Sequence, residues 1–277
     1  MVSGSSNEPK QSAVVTRSSK GLPPADMSPH KLFDLTGRVA LITGSSRGLG
    51  RAIAEGFALA GADIIVASRD GDACEVVAKE LGATGRQTLA VACDVSKWDE
   101  VDRLVDACYA TFGRVDVVVN NAGAVRRWPD LSAVRESDFD EALNLNLKGP
   151  FRLGALVGRE MAKEQSGSIV NVSSMVSTRP KAMLGPFSAA KAGLNAITVA
   201  LADAYAPHVR VNGLILGPFQ TSAVAHMTER ETDAMSTTRL LGRFGTESEV
   251  VGAALFLASD ASSYVTGTLL RVDGGDR

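Results

Sequence analysis

Residues 39–50 read Val39-Ala40-Leu41-Ile42-Thr43-Gly44-Ser45-Ser46-Arg47-Gly48-Leu49-Gly50. The apolar run predicts a buried strand, and the glycine-rich turn after it opens a helix. Gly44 permits a tight turn, Gly48 lets the backbone approach a pyrophosphate, and Gly50 allows the helix to pack closely on the strand. The free N–H groups and the positive dipole end of that helix would face the phosphates. This segment therefore predicts the phosphate-binding turn of a dinucleotide site.

Short β-rich runs alternate with amphipathic helical stretches from Lys31 onward. Continuous apolar strands joined by crossover helices imply a mostly parallel sheet that is covered on both faces. We expect an α/β fold, a single doubly wound Rossmann-type domain over residues 31–277 with a parallel sheet of about seven strands. The strands are expected near residues 39–42, 64–66, 89–92, 115–119, 169–172, 209–212 and 269–272. The helices are expected near residues 48–60, 71–82, 98–112, 139–165, 186–206 and 248–259.

Composition limits the classes of partner. Residues 1–30 are rich in Ser, Pro, Lys and Gln and should form a disordered N-terminal tail. The net charge of −2 carries no basic excess, so we expect no nucleic-acid partner, and no apolar run is long enough to predict a membrane span. Cys74, Cys93 and Cys108 indicate buried thiols in a reducing compartment, which favours a cytoplasmic protein. The histidines show no ligand spacing, so we expect no metal.

The end of the second predicted strand, Ala67-Ser68-Arg69-Asp70, bears on the choice of cofactor. A carboxylate at this place would hold the ribose 2′-hydroxyl of NAD, whereas arginines accommodate the extra phosphate of NADP. Ser68 stands where the acid would be, and Arg47 and Arg69 could clamp a 2′-phosphate together. NADP is therefore favoured over NAD. The alternative is that Asp70 is the ribose acid, although it more naturally caps the next helix.

Several further motifs follow the turn in a fixed order. They are Thr43 to Gly50, Asp94-Val95, Asn120-Asn121-Ala122-Gly123, Asn144-Leu145-Asn146-Leu147-Lys148-Gly149, Ser173-Ser174, Phe187 to Lys191, and Val272-Asp273-Gly274-Gly275. From about Leu35 to Gly275 the chain resembles the short-chain dehydrogenases/reductases. That resemblance implies hydride transfer between a nicotinamide cofactor and a small-molecule carbonyl or alcohol substrate.

The resemblance also assigns roles to residues. The catalytic positions fall on Asn146, Ser174, Phe187 and Lys191. In the family a tyrosine exchanges the proton, the serine holds the substrate oxygen, and the lysine binds the nicotinamide ribose and lowers the pKa of the tyrosine. Ser173 could compete for the serine role, but the family spacing selects Ser174. The implied cofactor-binding residues are Gly44, Ser46, Arg47, Gly48, Leu49, Gly50, Arg69, Asp94, Val95, Asn121, Gly123, Lys191, Phe219 and Thr221.

Pro150 bears on the asparagine of this set. It lies four residues after Asn146 in a predicted helix and has no N–H, so the Asn146 carbonyl loses its helical partner. A buried carbonyl needs another donor, and in the family this carbonyl holds a water that links the lysine to solvent. We therefore expect an ordered water there, although Pro150 could equally well only kink the helix.

Phe187 is the main departure from the family pattern, which has tyrosine at this position. Phenylalanine keeps the ring but cannot donate, accept or ionise, and general acid–base catalysis contributes about 10²–10⁴-fold. Three explanations stay open. The substitution is an engineered trap, or hydride transfer persists with a proton from Ser174, Lys191 or water or on an imine or enone substrate, or the chain is a catalytically silent NADP-binding sensor or partner subunit.

The segment from Thr221 to about Thr246 corresponds to the substrate lid of the family. Met227, Met235, Leu240 and Leu241 are spaced to close over a pocket and hint at a hydrophobic substrate, although an amphipathic surface helix explains them as well. The cluster Arg126-Arg127-Trp128 could meet an anionic substrate or form a solvated loop. By analogy with relatives, the helices near 98–112 and 139–165 and the C-terminal strand should associate into a homotetramer or dimer.

Overall fold

A computed structural model describes residues 28–221 and 228–275. All strands of the sheet run parallel, in the order β3-β2-β1-β4-β5-β6-β7. The strands are β1 (Val39–Thr43), β2 (Asp63–Ser68), β3 (Thr88–Ala92), β4 (Val117–Asn120), β5 (Gly167–Ser174), β6 (Val209–Leu216) and β7 (Leu269–Val272). The predicted doubly wound α/β fold with seven strands is confirmed. The tail predicted to be disordered spans residues 1–30. Residues 1–27 lie outside the described residues, whereas Pro29 and His30 lie in a short helix, so the prediction is wrong at its C-terminal end.

Helices cover both faces of the sheet. They are α1 (Pro29–Leu32), α2 (Gly48–Leu59), α3 (Gly71–Gly82), α4 (Trp98–Phe112), α5 (Glu136–Leu143), α6 (Gly149–Lys163), α7 (Gly185–Tyr205), α8 (Glu229–Ser236) and α9 (Val251–Ala258). Because side chains alternate along a strand, Ala40 and Ile42 of β1 face a core with α2, α3 and α9, whereas Val39 and Leu41 face a core with α4, α6 and α7. Both cores are almost entirely apolar, as the continuous apolar strands require.

The helix predicted over 139–165 is present, but a π-helical turn divides it. The structure has α5, then a π-helical turn at Asn144–Lys148, then α6. Pro150 cannot donate to the carbonyl of Asn146, and the N–H of Gly149 reaches back five residues to the carbonyl of Asn144. The widened turn contains Asn146 and lies directly before Pro150.

The strand order fixes where a ligand can lie. The chain moves outward from β1 through β2 to β3 and then crosses to β4, so the direction of winding reverses between β1 and β4. In open α/β sheets, ligands bind outside the carboxyl ends of the strands at such a switch point. The three cysteines are buried and form no disulfide, as expected of buried thiols. In the described part of the chain, no helix is long and apolar enough to cross a membrane.

Candidate active site

The turn between β1 and α2 has the geometry of a phosphate cradle. Gly44 and Gly48 adopt positive φ angles of 66° and 59°, which side chains rarely tolerate. A β-carbon on Gly50 would lie 2.3 Å from the carbonyl oxygen of Gly44, so only glycine lets the helix approach. At Gly48, by contrast, the nearest atom to such a carbon is the Glu247 carboxylate at 3.8 Å. The turn is thus tight on its inner side and open above the start of α2, which fits a pyrophosphate.

The turn is held by the end of β4. The side chain of Asn121 donates to the carbonyls of Thr43 at 2.9 Å and Gly44 at 3.2 Å. The hydroxyl of Thr43 in turn accepts from the backbone N–H groups of Asn121 and Ala122. Ser46 and Leu49 are half-buried in the same turn, and Arg47 precedes α2 with its side chain exposed. No side chain caps α2, so its first N–H groups remain available to an anion.

The tip of β2 has the arrangement expected for a 2′-phosphate. Asp70 caps α3, because its carboxylate accepts from the N–H of Ala73 at 3.0 Å. The hydroxyl of Ser68 lies 3.1 Å from the sulfur of Cys74 and also contacts the backbone of Asp70. Arg69 is exposed directly after the strand. The carboxylate that could bind a ribose is therefore used as a helix cap.

Asp94 and Val95, two of the implied cofactor-binding residues, follow β3. The Asp94 carboxylate accepts from the backbone and the hydroxyl of Ser96, at 3.0 and 2.8 Å. Val95 is buried, and a β-carbon on Gly149 would lie 2.1 Å from its carbonyl oxygen. The start of α6 therefore packs directly on this segment and fixes its backbone.

Phe219 and Thr221, also among the implied cofactor-binding residues, follow β6. Phe219 is buried, and a β-carbon on Gly245 would lie 2.7 Å from its ring. Beyond Thr221 the lid prediction is only partly described, because Met227 lies outside the described residues. Leu240 and Leu241 are more than half exposed, and their N–H groups donate to the carbonyls of the C-terminal glycine pair. They pack on the chain end in this structure and do not close over a pocket.

Phe187 and Lys191 lie side by side on α7. Phe187 is buried in a small cluster with Met175, Val176 and Ile215. The Lys191 Nζ lies 5.9 Å from the centroid of the Phe187 ring and donates to the carbonyl of Val172 at 2.7 Å. Burial lowers the pKa of the Lys191 ammonium to about 8. The structure thus places a desolvated amine beside a phenyl ring.

Asn146 lies across Gly123 from this amine. Its side-chain nitrogen donates to the carbonyls of Ala124 and Ala142, while its Oδ1 is buried with no hydrogen-bond partner among the described residues. A β-carbon on Gly123 would lie 2.8 Å from that oxygen and 3.7 Å from the Lys191 Nζ. The three residues are therefore brought together, and the oxygen is an open acceptor beside the amine.

The two serines at the end of β5 face different ways, because successive residues of a strand alternate. The Ser173 hydroxyl is buried and donates to the backbone carbonyl of Lys191 at 3.4 Å. Ser174 is half-buried, and its hydroxyl has a long contact of 3.5 Å with the N–H of Val176. Ser174 is therefore the hydroxyl with spare hydrogen-bonding capacity, in agreement with the family spacing.

None of the tyrosines lies in the cluster around Phe187. The chain has three tyrosines, and the structure describes all of them. The Tyr205 hydroxyl donates to the carbonyl of Ala155 at the far end of α7, and Tyr264 is fully exposed. Tyr109 lies on α4, where burial raises its pKa to about 12.

The sequence did not show how two groups beside the site pair with their partners. Asn120 donates to Asn171 at 2.8 Å, and Asn171 donates to the hydroxyl of Thr198 at 2.9 Å, so a buried polar ladder ties β4 and β5 to α7. Its members lie in apolar runs and gave no periodic signal. In the loop after β4, Arg126 pairs at 2.6 Å with the buried carboxylate of Asp138, so this arginine is a structural ion pair as well as a loop cation.

Comparison with known proteins places the chain in a family. The family model described as enoyl-(acyl carrier protein) reductase matches residues 44–276. Gluconate 5-dehydrogenase of Gluconobacter oxydans is 35% identical over 252 residues, covering 90% of this chain and 98% of the relative. The 3-oxoacyl-[acyl-carrier-protein] reductase of Thermotoga maritima is 36% identical over 242 residues, covering 87% and 98%.

Among solved structures, a gluconate 5-dehydrogenase from Burkholderia cenocepacia in complex with NADP and tartrate superposes with a TM-score of 0.85. The two chains are 34% identical, and the match covers 88% of this chain and 97% of the other. Fold, motif order and relatives agree. The chain therefore belongs to the short-chain dehydrogenase/reductase family.

Proposed function

We propose that this protein is an NADP(H)-dependent oxidoreductase that transfers hydride to or from a small carbonyl or alcohol, with proton transfer altered by Phe187. The observation that carries the proposal is the pairing of Phe187 with Lys191 inside a site that is otherwise assembled. The cradle, the half-buried Ser174 and the buried amine all lie along the carboxyl edge of the sheet. We further propose a cytoplasmic homo-oligomer, by analogy with the family.

Two arginines support NADP over NAD. Arg47 and Arg69 are exposed at neighbouring strand ends, and guanidinium groups match a phosphate in charge and shape. Asp70 is engaged as a helix cap, which leaves no carboxylate at the β2 tip for a ribose hydroxyl. The structural relative with NADP bound agrees with this choice. When bound, the nicotinamide supplies the hydride.

The remaining roles, which are substrate binding, ribose binding and proton transfer, fall to side chains of the site. Ser174 would hold the substrate oxygen, since its hydroxyl has only a long partner in the structure. Lys191 would bind the nicotinamide ribose, and its amine can release or take a proton near neutral pH. Without a phenol between Ser174 and Lys191, the proton must come from one of these groups or from water. We expect slower turnover than in a tyrosine enzyme, or a substrate that needs less protonation, such as an imine or enone.

A second candidate function is a catalytically silent NADP-binding protein, a sensor or a partner subunit. It is favoured by the burial of the Phe187 ring and by the absence of any described tyrosine near it. An engineered trap of an active reductase would give the same geometry. In all these cases the cofactor binds, and the difference lies in whether the unmodified chain turns over.

The test compares the wild-type chain with Phe187→Tyr. NADPH fluorescence should change on binding to both proteins, and loss of binding in Arg69→Ala with retained NADH binding would support the 2′-phosphate contact. Both are then assayed against ketones, sugar acids, imines and enones. Wild-type turnover supports the enzyme, turnover in Phe187→Tyr alone supports the silent protein or the trap, and failure to bind either cofactor rejects both functions.

A further inference from the structure

The amine of Lys191 has an unusual environment for a lysine. The residue is 4% exposed, its Nζ donates to one backbone carbonyl, and the nearest ring is the phenyl of Phe187. In the described part of the chain, no carboxylate or other charged side chain contributes to its pKa shift, whose cause is burial. A desolvated lysine without a counter-ion is partly neutral near physiological pH, and a neutral amine is a nucleophile.

The amine can be approached from one side. Gly123 is exposed, and the position that its β-carbon would take lies 3.7 Å from the Lys191 Nζ. Because residue 123 has no side chain, nothing at this position stands between the amine and the cleft at the switch point. The buried Oδ1 of Asn146 lies beside the same position and can accept a hydrogen bond from an N–H or O–H group held there.

From this geometry we infer that Lys191 is a carbonyl-reactive amine, which forms a reversible imine with small aldehydes and unhindered ketones in the cofactor-free protein. The neutral nitrogen attacks the carbonyl carbon to form a C–N bond, and the carbonyl π electrons move to oxygen. Both hydrogens of the amine nitrogen then leave with that oxygen as water, and a C=N bond remains. No oxidant or reductant is consumed.

The inference rests on the proposed carbonyl pocket but not on turnover. A tyrosine at position 187 would, as its phenolate, stabilise the charged ammonium form of Lys191. Its hydroxyl would also form a hydrogen bond with the carbonyl oxygen of the ligand. Phe187 has no hydroxyl to compete for the carbonyl group, and its ring gives the Lys191 amine an apolar neighbour. The pocket would thus bind its carbonyl ligand covalently, which extends its chemistry beyond hydride transfer.

The test is reductive trapping. The native, cofactor-free protein is incubated with propanal and sodium cyanoborohydride, whose hydride reduces the imine to a stable secondary amine, and labelled lysines are identified by peptide mass spectrometry. At pH 7.5 Lys191 should be labelled about tenfold faster than the exposed Lys148 and Lys181, because a far larger fraction of it is neutral. The labelling rate of Lys191 should level off above about pH 8, where its amine becomes mostly neutral.

Controls separate the possible causes. Urea-unfolded protein should lose the preference for Lys191, and Lys191→Arg should lose the fast site while Lys148 and Lys181 react as before. Bound NADP should slow the labelling of Lys191, since the nicotinamide ribose would form a hydrogen bond with its amine. Labelling of Lys191 at or below the rate of Lys148 overturns the inference. Fast labelling of Lys191 in a protein that does not bind NADP would support the inference about the amine and would reject the proposed oxidoreductase function.

Discussion

Replacing Lys191 by methionine should stabilise the protein at neutral pH, although it removes a candidate catalytic group. Burial lowers the pKa of Lys191 from 10.5 to about 8. Since each pKa unit corresponds to 1.36 kcal/mol, holding the folded-state ammonium costs about 3 kcal/mol. Loss of the hydrogen bond to the Val172 carbonyl offsets about 1 kcal/mol of the gain. The net gain is about 2 kcal/mol, or about 5 °C in Tm for a chain of this size.

The pH dependence gives a sharper signature than the stability change alone. The folded-state pKa of Lys191 lies below the unfolded value, so the unfolded chain binds more protons between pH 8 and 10.5. Below pH 8 both states are protonated, and the whole penalty is present. Above pH 10.5 both are neutral, and it vanishes. The advantage of Lys191→Met should therefore be largest at neutral pH and shrink as the pH rises through this window.

Urea unfolding of the wild type, Lys191→Met and the control Lys148→Met measures both effects. Lys148 is exposed, so its replacement should leave the free energy of unfolding nearly unchanged at each pH. The buffer and all other titrating groups are common to the three proteins and cancel in the differences. The reasoning is refuted if Lys191→Met is less stable than the wild type at pH 7, or if its advantage is the same at pH 7 and pH 10.

Three further predictions concern the turn, the core and the acid limb. Gly50→Ala should weaken NADPH binding at least tenfold in a fluorescence titration, because the new carbon would lie 2.3 Å from a backbone oxygen. Its control, Gly252→Ala, has no atom within 4 Å and should bind normally while gaining up to about 1 kcal/mol from helix propensity; equal binding by both variants would contradict the cradle. Thr198→Val should cost about 1–3 kcal/mol in urea unfolding, because it leaves the Asn171 amide buried without its acceptor. A cost below about 0.5 kcal/mol would mean that the ladder is dispensable. Hydrogen bonds from Arg135 lower the pKa of Asp138 from 3.8 to about 2, so the stability it contributes is present above pH 3.8 and lost as the pH falls toward 2. The free energy of unfolding of Asp138→Asn, measured as the pH is lowered, should not show this loss. The same acid dependence in the variant and the wild type would contradict the prediction.

Local signals in the sequence were sufficient for most of the fold. Asp70 and Gly71 mark the start of α3, and the observed helix spans the predicted residues because the Asp70 carboxylate accepts the first free N–H. The glycines of residues 44–50 fix the turn in the same way, since two of them need positive φ and one needs a close approach. Each of these features depends on residues that are adjacent in the chain, which sequence reasoning can evaluate.

Contacts between distant segments could not be predicted in this way. Asn120, Asn171 and Thr198 are far apart in sequence, and each lies in a run that indicates an ordinary apolar element. Their pairing depends on the register of β4 with β5, where Asn120 lies directly opposite Asn171. The π-helical turn at Asn144–Lys148 was not predicted for a related reason. Pro150 predicted a free carbonyl at Asn146, but the widening of the turn involves the N–H of Gly149 and the carbonyl of Asn144, which no residue type in this stretch marks.

Phe187 and Lys191 are held by separate contacts, which bears on what a hydroxyl at position 187 would change. The Phe187 ring packs against Met175, Val176 and Ile215, whereas the Lys191 amine is fixed by the carbonyl of Val172. The ring therefore keeps its packing without the phenol oxygen, and the amine keeps its position without a partner on residue 187. Because the cradle is formed by the segment between β1 and α2, a hydroxyl added at position 187 should act locally. Phe187→Tyr should then change the proton-transfer step and leave cofactor affinity unaltered.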